Sequence, residues 1–363
     1  MTLVPKPGIL DIKAYVGGRA EAPGADRVYK MSSNETPFGP SPSAITAAAK
    51  ALDKVALYPE GSARLLRDAL AEFYGLDAGR IVCGNGSDEI LTLIANCYLR
   101  PKDEVVMSNH GFLVYKISTL ANSAVPIEVP EDDLKFDVGA VLDRVSSKTR
   151  LVYIANPNNP TGTYLTADEL RRLHAGLPAS ALLVIDAAYA EYARKNDYDD
   201  GLEMAATLDN VVMTRTFSKI YGLAGLRVGW AYCPEHVADT LNRVRAPFNV
   251  NIAAQYAAVA ALQDRAHTER STIHNDIWRT KLLQEIRALG LRADDSAGNF
   301  LLIHFPDTAG RSAADADRYL ISRGLILRKL DSYKLPHCLR LTIGTEGANL
   351  AFLDALKTFM AAK

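Results

Sequence analysis

Residues 151–162 read LVYIANPNNPTG, residues 182–189 read LLVIDAAY, and residues 211–219 read VVMTRTFSK. In each, a run of Val, Ile, Leu or Met without polar alternation ends abruptly on polar or charged groups. An apolar run that does not alternate is suited to a strand covered on both faces, the situation of strands in a parallel sheet. Shorter runs at Glu104–Met107 and Val125–Val129 repeat the pattern, and segments between them have helical spacing. Strands interleaved with helices predict an α/β fold with a mostly parallel sheet sandwiched by helices. In such sheets ligands bind beyond the carboxyl ends of the strands, where these three runs place Asn159, Asp186 and Lys219.

Working outward, SARLLRDALAEFYGL from Ser62 puts Leu65, Leu66, Ala69, Leu70 and Phe73 on one helical face. The first forty residues hold Pro5, Pro7, Gly8, Gly17, Gly18, Pro23, Gly24, Pro37, Gly39 and Pro40 and read as an extended arm, residues 1–40. A large domain is expected over 41–240. Beyond it the pattern becomes largely helical with short strands at Phe300–Phe305 and Leu339–Ile343, a smaller α+β domain over 241–363. The length of 363 residues agrees with roughly two domains at about 150 residues each.

Composition narrows the function. Lys plus Arg (41) against Asp plus Glu (42) leaves a formal charge of −1, without the strong positive field of a general nucleic-acid binder. The start, MTLVPKPGILDIK, fits neither a secretory signal nor a transit peptide, and no apolar run approaches the roughly 18 residues of a membrane span. Cys83, Cys97, Cys233 and Cys338 lack CxxC spacing, and the seven histidines form no HExxH pair. The expectation is a cytoplasmic protein without a metal, working on small molecules, with neither nucleic acid nor membrane as partner.

Four segments carry candidate chemistry. Gly84-Asn85-Gly86-Ser87-Asp88-Glu89 precedes a helical run, so its glycines and free N–H groups suit an anion. Equally, Ser87 suits an N-cap with two acids in the first turn. Asn156 to Gly162, with two prolines, predicts a rigid turn presenting an Asn amide, although a plain turn has the same composition. Asp186 ends an apolar strand and needs a partner, because an unpaired buried carboxylate costs several kcal/mol. Lys219 follows Thr216, Phe217 and Ser218 and precedes Gly222, Gly225, Arg227 and Gly229. An amine there can attack a carbonyl, with hydroxyls and an arginine beside it to hold a phosphate.

In order and spacing, GNGSDE, NPNNPTG, DAAY and TFSKIYGLAGLRVGW resemble the fold-type I pyridoxal-phosphate-dependent aminotransferases. SSNETPFGPSP, ALYPEGSARLLRDALAEFYGL, GLILRKL and CLRLTIGT extend the likeness over nearly the whole chain and resemble most the histidinol-phosphate aminotransferase family. The resemblance implies pyridoxal 5'-phosphate as cofactor. Lys219 then couples to its aldehyde and moves the proton, Asp186 faces the pyridine nitrogen, Asn159 and Tyr189 contact the phenolic oxygen, and Phe112 stacks on the ring. Gly86, Ser87, Asp88, Thr216, Ser218 and Arg227 are expected around the cofactor phosphate. Tyr58 is expected to reach the phosphate of a neighbouring subunit, which implies a homodimer with a shared site. Tyr15, Asn34, Arg328 and Arg340 match substrate-side positions, Arg340 being the carboxylate-gripping arginine.

The activity so implied is transamination between histidinol phosphate and imidazole acetol phosphate with glutamate and 2-oxoglutarate, a step of histidine biosynthesis. Relatives on the same scaffold supply two alternatives, an aromatic-amino-acid aminotransferase and a threonine-phosphate decarboxylase. A regulatory module fits poorly, because only about thirty residues precede SSNETP and they carry no basic excess. Two departures are visible: Ala187 stands where many relatives carry Glu, and Phe112 where many carry Tyr. His110 is expected to fill space.

Overall fold

The computed structural model describes residues 3–362. The three opening runs are adjacent strands in a sheet of seven: β1 (Ile81–Gly84), β2 (Glu104–Ser108), β3 (Val125–Val129), β4 (Thr149–Ala155), β5 (Leu182–Asp186), β6 (Val211–Thr216) and β7 (Gly229–Tyr232). Their spatial order is β1-β7-β6-β5-β4-β2-β3. Only β7 runs antiparallel to its neighbours. The fold class is therefore the expected one. The sequence reading omits β1 and β7, because each has four residues and is bounded by Gly84 or Gly229, which reads as loop.

The apolar runs are continuous because both faces of the sheet are covered. Leu183 and Ile185 of β5 join Val152, Ile154, Val211 and Met213 in one core with the helices Arg64–Tyr74, Ala167–Ala175 and Ile252–Gln263. Leu182 and Val184 face the other way, with Leu151, Tyr153 and Val212, against the helices Ser87–Tyr98 and Glu235–Val244. This is the two-residue period of a strand applied to two apolar layers, and each fully buried side chain contributes about 1.5–3 kcal/mol.

A second, smaller sheet consists of β8 (Arg292–Ala293), β9 (Phe300–His304), β10 (Arg328–Lys329) and β11 (Cys338–Thr342), antiparallel in the order β10-β11-β9-β8. The helices Arg265–Ala288, Ala313–Ser322 and Glu346–Ala361 close it with a separate core around Trp278, Leu320 and Phe352. The helix Ile252–Gln263 packs Ala254, Ala257, Ala258 and Ala261 into the first core, whereas the next helix sends Trp278, Leu282 and Ile286 into the second. Asp264 lies between them, its side chain accepting the His267 N–H at 3.1 Å.

The arm is mostly irregular before Tyr29–Lys30, which pairs in parallel with Leu325–Ile326 beside the second core. Ser123 Oγ donates to Pro7 O at 2.8 Å, so the early part of the arm lies beside the end of the helix Leu113–Ala121 before the arm reaches the second core. No helix among the described residues is long and apolar enough to cross a membrane.

Candidate active site

Because β1 runs parallel to β4, β5 and β6, the carboxyl ends of all four strands lie on one edge of the sheet. A cavity of about 250 Å³ opens there, bounded also by the segment Ser32–Glu35 and by Arg328, Tyr333 and Arg340. It gathers Ser87, Asp88, Phe112, Asn159, Asp186, Tyr189, Thr216, Ser218, Lys219 and Arg227, together with Tyr15, Asn34, Arg328 and Arg340.

Asp186 sits at the end of β5, and Tyr115 Oη donates to one carboxylate oxygen at 2.9 Å and Thr214 Oγ1 to the other at 3.1 Å. Burial pushes its pKa up to about 6, against the pull of these hydroxyls and of Lys219. Both hydrogen-bond partners are neutral, and no cation among the described residues forms an ion pair with the carboxylate, which a charged buried acid needs. Lys219 Nζ donates to Ser33 O at 3.1 Å and lies 5.7 Å from the centre of the Tyr189 ring. Asn34 Nδ2 donates to Tyr189 Oη at 2.8 Å.

Beside these groups is a cradle for an anion. Arg227 Nη1 donates to Ser218 Oγ at 3.1 Å, and its Nη2 to Asp88 Oδ2 at 3.1 Å. The Ser218 N–H meets Thr216 Oγ1 at 3.1 Å. The helix Ser87–Tyr98 begins at this point with its first N–H groups free of intrahelical partners. Its N-cap is Gly86, not Ser87, with φ 83° and no side-chain cap, so the capping alternative for Ser87 does not hold. Any side chain at Gly86 would strike the Arg227 guanidinium, which explains glycine there twice over. Glu89 turns back to accept from Asn249 Nδ2 at 2.7 Å.

Toward the outer side, Arg340 donates through Nη1 to Asn159 Oδ1 and through Nη2 to Ser32 O at 2.7 Å, while its Nε has no partner among the described residues. Burial lowers its pKa, although a guanidinium stays charged. Arg328 Nη2 donates to Val16 O at 2.8 Å, and its guanidinium lies 5.9 Å from the Tyr15 ring centre, so the arm crosses the cavity mouth at this arginine. Asn34 is fully buried, and Thr342 Oγ1 donates to its Oδ1 at 2.9 Å. Phe112 begins the helix Leu113–Ala121 and meets Tyr115 edge-on at 5.8 Å.

Two anticipated positions lie apart. Tyr58 is 82% exposed and stacks on Phe248 at 4.6 Å, away from this cavity. His110 is no space filler. Its Nδ1 lies 2.8 Å from Glu131 Oε2 and its backbone N–H donates to Glu131 Oε1 at 2.7 Å, because the side chain of Glu131 is buried and needs donors. Tyr115, Thr214, Ser32, Ser33 and Glu35 are site residues that sequence reasoning missed. For Tyr115 and Thr214 the signal was weak, since each sits inside a regular element and is told from core only by what faces it.

A family model, aminotransferase class I and II, matches residues 26–356. The chain belongs to that class, and the sheet, cavity, lysine and buried acid together are its fold-type I architecture. Histidinol-phosphate aminotransferases are similar along almost the entire chain. That of Rhodopseudomonas palustris strain HaA2 is 56% identical over 359 residues, covering 99% of this chain and 98% of its own. That of Nitrobacter hamburgensis is 54% identical, covering 99% of each. The chain is a member of the histidinol-phosphate aminotransferase family. Among solved structures, the Sinorhizobium meliloti histidinol-phosphate aminotransferase in complex with pyridoxal-5'-phosphate superposes with a TM-score of 0.90 at 28% identity, covering 97% of this chain and 96% of its own.

Proposed function

We propose that this aminotransferase interconverts histidinol phosphate and imidazole acetol phosphate, with glutamate and 2-oxoglutarate as the other pair, in histidine biosynthesis. The observation that carries the reading is Asp186, a buried acid that forms no ion pair among the described residues and shares its cavity with Lys219. Pyridoxal phosphate fits these residues: its pyridinium N–H supplies the missing cation at Asp186, and the Arg227, Ser218 and helix N-terminus cradle suits its phosphate. When bound, the cofactor supplies an aldehyde that condenses with amines and a ring that takes up electrons released at Cα.

The protein's part is positioning and proton transfer. Lys219 Nζ is the amine that couples to the aldehyde and the group that moves the proton at the substrate's Cα. Asp186 keeps the ring nitrogen protonated. Asn159 and Tyr189 donate toward the phenolic oxygen, Tyr189 being oriented by Asn34. Phe112 covers the ring, and Gly86, Ser87, Asp88, Thr216 and Ser218 complete the phosphate cradle around Arg227. Arg340 and Arg328 hold the anionic ends of the two substrates, and their planar forks suit carboxylate and phosphate alike. Tyr15 closes over Arg328.

The functional unit in this reading is a homodimer with a shared site. Support comes from Tyr58 and Phe248, which form an exposed aromatic pair near exposed Leu52, Val55 and Leu57, an apolar strip suited to a second copy. Tyr58 then completes the partner's phosphate cradle. The large cofactor domain and the small domain meet at Asp264 in this reading, where one core gives way to the next, rather than at residue 240, with the arm over 1–40. Four free cysteines suit the reducing cytoplasm.

Half-reactions of the cofactor-loaded protein test the assignment. Histidinol phosphate and glutamate should each bleach the visible cofactor band. Faster bleaching by phenylalanine would favour the aromatic aminotransferase, and carbon dioxide release from threonine phosphate would favour the decarboxylase. A separate prediction concerns Tyr115. Its hydroxyl favours the charged form of Asp186, so Tyr115→Phe should raise that pKa beyond about 6. Uptake of pyridoxal phosphate by the apoprotein, followed against pH by absorbance, should shift its acid limb upward. Turnover should fall by about tenfold, the scale of one charge-assisted hydrogen bond.

A further inference from the structure

Tyr333 stands in the cavity wall with Arg328 and Arg340, and nothing said so far gives it a part. Its ring is fixed by packing among Leu302, Leu330 and Cys338, with Leu113, Leu134 and Leu335 around them. The short turn Asp331–Tyr333 that carries it is tied to the sheet of seven through the next residue. Lys334 Nζ donates to Asn109 Oδ1 at 2.6 Å and lies 3.1 Å from Glu128 Oε1 of β3. The Tyr333 hydroxyl makes no hydrogen bond among the described residues, yet it is not sealed in protein as the unpartnered hydroxyls of Tyr98, Tyr192 and Tyr319 are. The space it opens on is the cavity. Burial of the ring pushes its pKa up, so the group is a neutral O–H donor, and the charged and phenolic groups around it are Arg340, Tyr15, Tyr189 and Arg328.

The two arginines serve two different kinds of anion in turn. A carboxylate has two oxygens, which a single guanidinium fork can satisfy, so the two carboxylates of glutamate ask for no donor beyond Arg328 and Arg340. A phosphate monoester presents three strong acceptor oxygens and more charge. Each fork already gives an N–H to a backbone carbonyl, Arg340 to Ser32 O at 2.7 Å and Arg328 to Val16 O at 2.8 Å. A third phosphate oxygen therefore falls to another donor, and the open phenol of Tyr333 stands beside both guanidinium groups.

We infer that Tyr333 is a specificity-determining residue whose hydroxyl donates to a phosphate oxygen of the phosphorylated substrate, alongside Arg328 and Arg340. The inference rests on the histidinol-phosphate reading above. Because packing holds the ring, the donor is in place before the substrate arrives, and little ordering cost opposes the bond. The hydroxyl then favours the phosphorylated substrate over glutamate at a pair of arginines that both must use.

Three amino donors separate the outcomes: histidinol phosphate, glutamate, and histidinol, which has the same ring and amine without the phosphate. Each is measured as a half-reaction kcat/KM on cofactor-loaded protein. Tyr333→Phe keeps the packed ring and removes only an oxygen that no protein group depends on. With histidinol phosphate it should lose about 10- to 100-fold, the scale of a hydrogen bond to a charged group, with most of the loss in KM. With histidinol and with glutamate the loss should stay below about threefold. Inorganic phosphate, competing with glutamate, should bind the variant about tenfold more weakly than the wild type. An equal fall with all three donors would show a structural role and overturn the inference, as would an unchanged ratio of histidinol phosphate to histidinol. A fall shared by histidinol phosphate and glutamate would make the hydroxyl a general anion donor and overturn its selectivity. A wild-type protein that reacts with glutamate but not with histidinol phosphate would instead overturn the substrate assignment, and the inhibition by inorganic phosphate would then decide on Tyr333 alone, an unchanged constant overturning the claim.

Discussion

Lys219→Ala should abolish transamination, with a loss of about 10⁴-fold or more in the half-reaction with glutamate, the scale seen when a nucleophile or general base is removed. The amine sits beyond the end of β6, held by Ser33 O at 3.1 Å, and among the described residues no second lysine lines the cavity. No neighbour can therefore take over the proton at Cα or the bond to the aldehyde. Borohydride reduction of the wild-type holoprotein should leave the cofactor on the peptide containing Lys219 and nowhere else. Label on another lysine, or a Lys219→Ala protein that still turns over freely, would remove the basis of the mechanism.

Asp186→Asn should act in opposite directions on activity and on stability. Without the acid the ring nitrogen loses its counter-charge, and turnover should drop by about 10²- to 10³-fold, as for other preorganised electrostatic contacts. In the apoprotein the same carboxylate is a burden. Its folded pKa of about 6 lies above the unfolded value near 3.9, so the folded state disfavours the charged form. The penalty is absent below about pH 4, grows as pH rises through 6, and is complete above it, on the order of 3 kcal/mol. Apo Asp186→Asn should therefore be more stable than wild type at pH 8, with the advantage shrinking toward pH 4 in denaturant titrations. A stability difference that does not change with pH would contradict the assignment of a raised pKa to this group. An acid kept against its own solvation is the pattern expected where function outweighs stability.

Much of the site was legible because its residues terminate strands. The change from LLVI to Asp186 or from VVMT to Lys219 is a local signal: a two-sided strand tolerates only apolar groups, so a charge at its end marks the sheet edge where ligands bind. Gly86 was legible as part of a glycine-bearing helix start suited to an anion, whereas its approach to Arg227 was not, because that arginine is distant in the chain. The two edge-proximal strands, β1 and β7, were not, because four residues flanked by glycine lack the length that separates strand from loop. Tyr115 and Glu35 were hidden for another reason. A tyrosine in an apolar helix looks like core until Asp186 is placed against it, and a glutamate in an irregular arm looks like surface until the arm is seen to border the cavity.

The order of apolar runs and polar ends thus determined the α/β architecture, the edge of the sheet that carries the site, and the presence of an amine and an acid at that edge. Tertiary structure alone decided which groups tune that pair, where one core passes into the other at Asp264, and that the arm brings Ser32 to Glu35 onto the cavity. The reason is range. Strand burial and helix starts depend on neighbours within a few residues, whereas Tyr115 and Asp186, or Asn34 and Tyr189, stand 71 and 155 residues apart and meet only when both layers have packed.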